Sequence, residues 1–201
     1  MGEAEQIGPD VRLLSLWNNV KSGGLKMRKV TFGVANSLDN FIARKDGAID
    51  WILSGEEATS AMTEFWKTID AVVMGRKTYD PVLKSGTPFP TYQGVKNYVL
   101  SRTLKETSDK NVEIIGEDAT EFVRKLKNQN GKDIFLMSGG LLAKPLFEAK
   151  LIDEVVVNIH PVLLGSGIPL FHEMSCQIDL ELIKCKTYKN GCVSVTYRVK
   201  S

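Results

Sequence analysis

The sequence has few of the residues that build metal centres and disulfide frameworks. Its 201 residues include three cysteines and two histidines. Cys176, Cys185 and Cys192 are an odd number without a Cys-x-x-Cys pair, and neither His160 nor His172 has ligand spacing with them. This pattern predicts free thiols in a reducing compartment and no metal site. We therefore expect a cytoplasmic protein without a bound metal.

Long apolar runs and an excess of charge are also missing. No apolar run approaches the length of a membrane span, and the first residues lack the basic start of a signal peptide. The 26 basic and 24 acidic residues nearly balance, which gives no polycationic surface for a nucleic acid. Neither Gly-x-Gly-x-x-Gly nor Gly-Lys-Ser/Thr occurs, which disfavours a Rossmann dehydrogenase and a nucleoside triphosphatase. We expect a small-molecule partner, with no nucleic acid and no membrane.

The chain divides into a short extension and one domain. Residues 1–26 carry one apolar patch and end on Ser22-Gly23-Gly24, and we interpret them as a peripheral extension, either a short amphipathic helix or a poorly ordered segment. Met27 begins a pattern typical of a folded domain, which we assign to residues 27–201. With 43% hydrophobic residues, the chain is long enough to bury one sizeable core.

Hydrophobic periodicity predicts alternating strands and helices. We predict strands at 28–35, 70–74, 95–100, 112–115, 133–137 and 153–159, and helices at 118–130 and 141–150. A further helix is predicted from a capping box, with Ser54 as N-cap, Glu57 at the third helical position and Ile69 on its apolar face. Asp118 is the predicted N-cap of the helix that follows it. The alternating runs around Asn190-Gly191 predict a terminal antiparallel hairpin.

Three of the predicted strands end in glycine, serine or arginine. Strand 70–74 leads into Gly75-Arg76-Lys77-Thr78, strand 95–100 into Ser101-Arg102, and strand 133–137 into Ser138-Gly139-Gly140. Ligands bind outside the carboxyl ends of strands in open α/β sheets. The first junction suits a pyrophosphate, the two glycines allow close backbone approach, and the Ser-Arg pair suits a terminal monophosphate. Together they predict NADPH, although the first junction alone is also typical of a plain strand-to-helix turn.

These motifs, taken in order, resemble a known family. Ala35, Ser37-Leu38-Asp39, Trp51 and the three junctions follow the dihydrofolate-reductase-like pattern. The run from His160 to Phe171 looks more specifically like the reductase domain of riboflavin-biosynthesis deaminase-reductases and their stand-alone relatives. The resemblance covers about residues 28 to 200. It implies a three-layer α/β fold with a mixed, mainly parallel sheet and a C-terminal antiparallel hairpin.

The resemblance also implies an NADPH-dependent reductase that forms a homodimer. By resemblance, hydride would go to the sugar C1 of a phosphoribosylaminopyrimidine, opening ribosyl to ribityl. Ala35 and Ile42 would border the nicotinamide, and Ser101 and Arg102 would take the 2′-phosphate. The other phosphates would be held by two groups of residues: Gly75, Arg76, Lys77 and Thr78, and Ser138, Gly139, Gly140 and Leu141.

The proton donor and the substrate contacts are less sharply indicated. Asp39 and Glu57 are the candidate acids, each with a structural alternative as turn former or helix cap. Asn40 stands where the family has glycine, and asparagine tolerates the left-handed backbone that this turn requires. Trp51 is a candidate substrate contact or a core residue. Gly165 and Ser166 are candidates for a substrate phosphate or form a simple turn.

Three alternatives to the riboflavin-type reductase remain at this point. A dihydrofolate-reductase-like pterin reductase would need a carboxylate on the helix after Trp51, and no acid there aligns cleanly. A non-catalytic NADPH-binding module would keep the phosphate contacts without turnover. A structural interaction domain would leave Arg76 and Arg102 as idle surface charges.

Overall fold

Apolar and β-branched stretches form ten strands within residues 27–200, the part of the chain that the structure, a computed structural model, describes. The predicted extension, residues 1–26, lies outside it. The strands are β1 (Val30–Ser37), β2 (Phe41–Ala43), β3 (Ile69–Gly75), β4 (Lys96–Leu100), β5 (Val112–Ile115), β6 (Asp133–Leu136), β7 (Glu154–His160), β8 (Ile168–Pro169), β9 (Leu180–Thr187) and β10 (Val193–Val199). Four helices lie between them: α1 (Glu56–Trp66), α2 (Arg76–Ser85), α3 (Ala119–Lys127) and α4 (Gly140–Glu148).

Eight strands form one mixed sheet in the order β5-β4-β3-β6-β1-β7-β10-β9. The six strands from β5 to β7 are parallel, and β10 runs antiparallel to both β7 and β9. Strands β2 and β8 form a separate antiparallel pair. Because the six central strands are parallel, all their carboxyl ends lie at one edge of the sheet.

Helices cover both faces of the sheet and make three layers. On one face, α3 and α4 pack on the sheet through side chains that include Phe122, Val123, Leu146 and Phe147. On the other face, a second cluster is built from Ile69, Val72, Met74, Tyr79, Phe89, Val99 and Phe135, with Phe65 and Trp66 of α1 packed against it. The predicted fold class is confirmed.

Local signals located α3 and the hairpin well. Asp118 caps α3, and its carboxylate accepts hydrogen bonds from the backbone N–H of Thr120 at 2.8 Å and of Glu121 at 3.2 Å. In the hairpin turn, Gly191 has a φ of +85° and its N–H donates to the Tyr188 carbonyl. A left-handed residue at this position is what the Asn-Gly signal predicts.

The prediction for α1 was wrong in two details. The helix begins at Glu56 with Gly55 as its N-cap, and no side chain caps it, so Ser54 and Glu57 form no capping box. The Glu57 carboxylate instead accepts a hydrogen bond from the Lys189 backbone N–H at 3.2 Å, which a local sequence signal does not reveal. Ile69 lies in β3 rather than on the helix, because α1 ends at Trp66.

Candidate functional site

Four residues predicted at the site meet at the carboxyl edge of the sheet. A side-chain carbon placed on Gly75 would lie 3.3 Å from the Ser138 hydroxyl oxygen, so the ends of β3 and β6 are adjacent. One placed on Gly139 would lie 2.8 Å from Cδ1 of Ile42, which brings β2 to the same point. The sequence-predicted junctions therefore converge, as a parallel sheet requires.

Two helices begin at this point without side-chain caps. Gly75 is the N-cap of α2 and Gly139 is the N-cap of α4; both have extended backbone and no capping hydrogen bond. The first N–H groups of a helix lack intrahelical partners and carry the positive end of its dipole. Two such ends side by side form a surface that is chemically suited to a group with two negative phosphates.

Gly140, one of the predicted phosphate contacts, also has a packing role. It is buried, and a side-chain carbon placed on it would collide with the backbone carbonyl of Leu170. Its missing side chain therefore admits the chain leaving β8. Leu141, the next residue of α4, is 60% exposed and lies on the open side of the helix start.

The cations at the edge differ in their freedom to bind a ligand. Arg76 is held by an ion pair with Asp80, one turn further along α2. Lys77 and Arg102 are exposed, and neither forms an ion pair within residues 27–200. Thr78 is half-buried beside them in the first turn of α2.

Ser101 shapes the turn that carries Arg102. Its hydroxyl oxygen accepts a hydrogen bond from the Leu104 backbone N–H at 2.9 Å, with a longer contact from Thr103 at 3.3 Å. The Ser101 side chain is only 8% exposed. The turn thus presents the Arg102 guanidinium outward while Ser101 holds the backbone beneath it.

The Asp39 carboxylate connects two loops through hydrogen bonds. Its carboxylate accepts hydrogen bonds from the Ser37 hydroxyl at 2.6 Å and from the backbone N–H groups of Leu164 at 3.1 Å and Gly165 at 2.7 Å. The Ser37 hydroxyl is the main cause of a lowered pKa for the Asp39 carboxyl. A carboxylate that is more acidic than usual is a poor general acid at neutral pH. Asn40 beside it has a φ of +64°, the predicted left-handed turn.

Glu57, the second candidate acid, faces the hairpin turn. Besides the Lys189 N–H, its carboxylate lies 3.7 Å from the Lys189 ammonium, and the Asn190 amide lies 3.5 Å from the Ser54 carbonyl. These contacts anchor the start of α1 to the turn between β9 and β10. A hollow of about 200 Å³ lies at this anchor, lined by residues 55–58 and 188–190.

The three predicted substrate contacts differ in accessibility. Trp51 is 7% exposed, and its ring packs edge-on against His160 with centroids 5.4 Å apart, so the core interpretation holds for most of its surface. Gly165 has a φ of +69°, and both it and Ser166 are exposed in the loop that Asp39 fastens. This loop is open to a ligand.

The space between α1 and the sheet is a candidate cleft. The helix is anchored at its start by Glu57 and at its end by Phe65 and Trp66, whose rings pack on Phe135 with centroids 4.9 Å and 5.8 Å away. In the strand order β10, β7 and β1 lie between these anchors, and none of the helix residues is buried. Five strand residues that point to the face of the sheet on which α1 packs are half-buried: Ala35, Val156, Asn158, Ser194 and Thr196. Helix and sheet therefore leave room for a cleft, whose floor would contain Ala35.

Sequence analysis missed the polar residues of this floor. Asn158 pairs in register with Ala35 on one side and with Ser194 on the other, so all three point to the face that α1 crosses. The signal available was the alternation of β7, in which Asn158 interrupts a β-branched run. Alternation alone does not tell which face of a two-sided sheet binds a ligand.

A second hollow, of about 240 Å³, lies at the opposite edge of the sheet. Its lining includes Arg28, which is 5% exposed, forms an ion pair with Asp70 and donates to the Lys132 carbonyl at 2.5 Å. The Arg28 guanidinium is therefore already bound by protein groups at the ends of neighbouring strands. Residues 27–200 contain no group of three or more potential metal-binding side chains, and none of their helices could cross a membrane.

Comparisons with known proteins give matches in both sequence and structure. Residues 28–194 match the family described as the RibD C-terminal domain. The protein YwjB of Bacillus subtilis (strain 168) is 38% identical over 162 residues, which are 80% of this chain and 92% of YwjB. The crystal structure of a protein assigned to riboflavin biosynthesis from Shewanella sp. PV-4 has a TM-score of 0.76 at 27% identity, covering 86% of this chain and 99% of that one.

A dihydrofolate reductase is similar in fold alone. The enzyme from Enterococcus faecalis, solved in complex with NADP(H), has a TM-score of 0.63 at 18% identity, with 86% of this chain and 97% of that chain covered. The dihydrofolate-reductase-like fold inferred from the ordered motifs is confirmed.

Proposed function

Because the chain belongs to the RibD C-terminal domain family, we propose that it is an NADPH-dependent reductase of the riboflavin-biosynthesis type. Its substrate would be a phosphoribosylaminopyrimidine. Bound NADPH would supply the hydride for a new C–H bond at carbon 1 of the sugar, the ring C–O bond would break, and the released ring oxygen would take up a proton. The product carries a ribityl chain. Membership of this family by itself supports the assignment of the protein as an oxidoreductase.

The pair of uncapped helix starts at Gly75 and Gly139 carries this proposal. A dinucleotide places two phosphates together, and the N-termini of α2 and α4 offer free N–H groups at adjacent points. Arg102, exposed at the end of the neighbouring strand β4, suits the additional 2′-phosphate. The nicotinamide would then lie against Ile42 and Ala35, at the mouth of the cleft under α1.

The acids of the site favour ribosyl opening over pterin reduction. Pterin reduction by the dihydrofolate-reductase route needs a carboxylate to supply a proton beside the ring. Asp39 is committed to the loop at 164–165, and Glu57 is committed to Lys189. An oxygen leaving group on an open sugar chain can take its proton from water, so this arrangement does not hinder the proposed reaction.

We also propose that the protein is a homodimer that pairs through β9. Strand β9 forms one edge of the sheet, and all of its residues are exposed. They include three large apolar residues, Leu180, Leu182 and Ile183, which are 40%, 55% and 44% exposed. An antiparallel pairing of two β9 strands centred on Ile183 and Lys184 would place Glu181 opposite Lys186 of the second copy. The charges on two antiparallel β9 strands are therefore complementary, and their pairing would cover an exposed edge of the sheet.

The first test is fluorescence titration of NADPH and NADH on the wild type and on Arg102→Ala. A lost charge-assisted hydrogen bond is worth about 1.5–3 kcal/mol, so we expect NADPH to bind ~10- to 100-fold more weakly to the variant while NADH binding is unchanged. Lys105→Ala is the matched control, since Lys105 is an exposed cation three residues away. It should bind NADPH as the wild type does.

The outcomes separate the alternatives. Failure of the wild type to bind either cofactor would contradict the reductase and the binding module together, leaving an interaction domain. Binding without NADPH oxidation, for the phosphoribosylaminopyrimidine and for dihydrofolate, would favour the module. Oxidation with dihydrofolate alone would favour the pterin reductase.

A further inference from the structure

The loop between β4 and β5, residues 101–111, carries Arg102 and is held mainly by side chains. Its residues 102–108 form no backbone–backbone hydrogen bond within the described part of the chain. Besides the turn at Ser101, the loop is fixed by Leu104, which packs against the second core cluster, and by the hydroxyl of Thr107. The position of Arg102 therefore depends on a few side-chain contacts.

The partner of Thr107 is a tyrosine of α2. Tyr79 lies four residues after Gly75 and is fully buried, and its hydroxyl oxygen lies 2.9 Å from that of Thr107. The Tyr79 hydroxyl also donates a longer hydrogen bond, of 3.4 Å, to the carboxylate of Asp109. Within residues 27–200, no other side chain of α2 forms a hydrogen bond with the loop. The Tyr79 hydroxyl is thus the polar link between α2 and the loop.

Asp109 fixes the far end of this link. Its carboxylate accepts hydrogen bonds from the backbone N–H of Phe89 at 2.7 Å and from that of Asn111 at 2.9 Å. The Asp109 N–H in turn donates to the Thr107 hydroxyl at 3.2 Å. Tyr79 therefore joins α2 to a part of the loop that is itself held by three other protein groups.

The two ends that Tyr79 connects are the two phosphate positions of the proposed function. Gly75 begins α2, where the pyrophosphate would lie, and Arg102 would bind the 2′-phosphate. Both groups belong to the adenosine half of one cofactor, so a site that keeps the matching separation before binding loses less conformational entropy. NADH has no 2′-phosphate, so only NADPH gains from a fixed position of Arg102.

We propose that Tyr79 is a positioning residue for the 2′-phosphate, whose hydroxyl fixes the Arg102 loop relative to the start of α2 and thereby contributes to discrimination between NADPH and NADH. Because Tyr79 is fully buried, it acts through Thr107 and the loop rather than by contact with the cofactor. This inference rests on the proposed function for the places of both phosphates. A tyrosine that only filled the core would support the binding of both cofactors equally.

Fluorescence titration of NADPH and NADH on Tyr79→Phe and on Thr107→Val tests the proposal. Each variant removes one hydroxyl of the pair, so we expect NADPH to bind ~3- to 10-fold more weakly while the affinity for NADH stays within about twofold. The double variant should bind NADPH no more weakly than either single one, because both changes remove the same contact. Thr107→Ser keeps the hydroxyl and should bind NADPH as the wild type does.

Tyr98→Phe is the matched control. It removes the hydroxyl of a buried tyrosine on the opposite face of the sheet, where the ring packs against Phe122, and it should leave the ratio of the two affinities unchanged. This ratio separates positioning from stability, since a general loss of stability would weaken NADH binding as well. An unchanged ratio in either Tyr79→Phe or Thr107→Val would overturn the proposal.

A wild type that binds neither cofactor would overturn the proposed function and, with it, this inference. Nitrogen-15 relaxation of the ligand-free protein adds a readout that needs no cofactor. The backbone amide of Arg102 should become more mobile in Tyr79→Phe and keep its wild-type mobility in Tyr98→Phe. Equal mobility in all three proteins would also overturn the positioning role of Tyr79.

Discussion

His160 shows how a buried titratable group connects loops that are far apart in sequence. Its ring receives a hydrogen bond from Leu53, contacts the Cys192 thiol and packs against Trp51. Because burial disfavours the imidazolium, the folded protein binds a proton less readily than the unfolded chain, whose histidine pKa is about 6.5. The contribution of His160 to stability is therefore fully present above about pH 6.5 and is lost as the pH falls toward the lower pKa of the folded state.

His160→Phe tests this account. Phenylalanine keeps a ring against Trp51 but leaves the Leu53 N–H without an acceptor, which should lower the free energy of unfolding by about 1–3 kcal/mol at pH 8. The variant should also lose much of the decline in stability between about pH 7 and pH 5. Urea unfolding across this range measures both effects. A variant as stable as the wild type at pH 8 would contradict the role of the Leu53 hydrogen bond.

The variant Asp39→Asn distinguishes a structural role of Asp39 in connecting two loops from a role as catalytic acid. The lowered pKa of Asp39 means that its contribution to stability is present above the ordinary carboxyl pKa of about 4 and is lost as the pH falls through the lower folded value. We expect the variant to melt at a lower temperature at pH 7. Its kcat should have the same pH profile as the wild type, whereas loss of one limb of the profile would identify Asp39 as an acid.

At the level of elements, α4 illustrates why a glycine is required for packing. The helix starts against the backbone of Leu170, and no side chain fits between them at Gly140. This contact joins the segment after β8 to α4, whose N-cap residue Gly139 belongs to the proposed phosphate site. Packing at Gly140 therefore supports the geometry of the candidate phosphate site.

Gly140→Ala should destabilise the protein by about 1–3 kcal/mol, because backbone atoms must move to admit the methyl group. Gly116→Ala is the control: its new carbon would lie 3.9 Å from the nearest atom outside its chain neighbours, the Ser101 carbonyl oxygen, and Gly116 does not have a positive φ. Urea unfolding should show little change for the control. Equal stability of both variants would refute the close packing of α4 on Leu170.

At the level of the whole molecule, β9 leaves the sheet with an open apolar edge. Sedimentation equilibrium of the full chain should show a monomer–dimer equilibrium. Leu182→Lys should weaken association at least tenfold, since it would bury a charge in the new interface. Leu83→Lys, at an exposed position on α2, should leave association unchanged. A monomer at every concentration would contradict the homodimer.

The sequence by itself determined the eight strands of the main sheet, including the terminal hairpin, together with α3 and the junctions at the carboxyl edge; it did not indicate β2 or β8. These features depend on residues close together in the chain: alternation in β10, the Asp118 cap, and Asn190-Gly191 between two alternating runs. Once the central strands are parallel, their ends must share one edge, so Gly75, Arg102 and Gly139 could be grouped without coordinates.

The tertiary structure decided what depends on distant partners. The Asp39 carboxylate connects two loops because the N–H groups of Leu164 and Gly165 donate to it. Glu57 does not form the expected capping box, and its carboxylate accepts from the Lys189 N–H. His160 likewise has partners from two other segments, the Leu53 N–H and the Cys192 thiol. Hydrogen bonds between segments more than one hundred residues apart leave no local pattern, so only the folded chain reveals them.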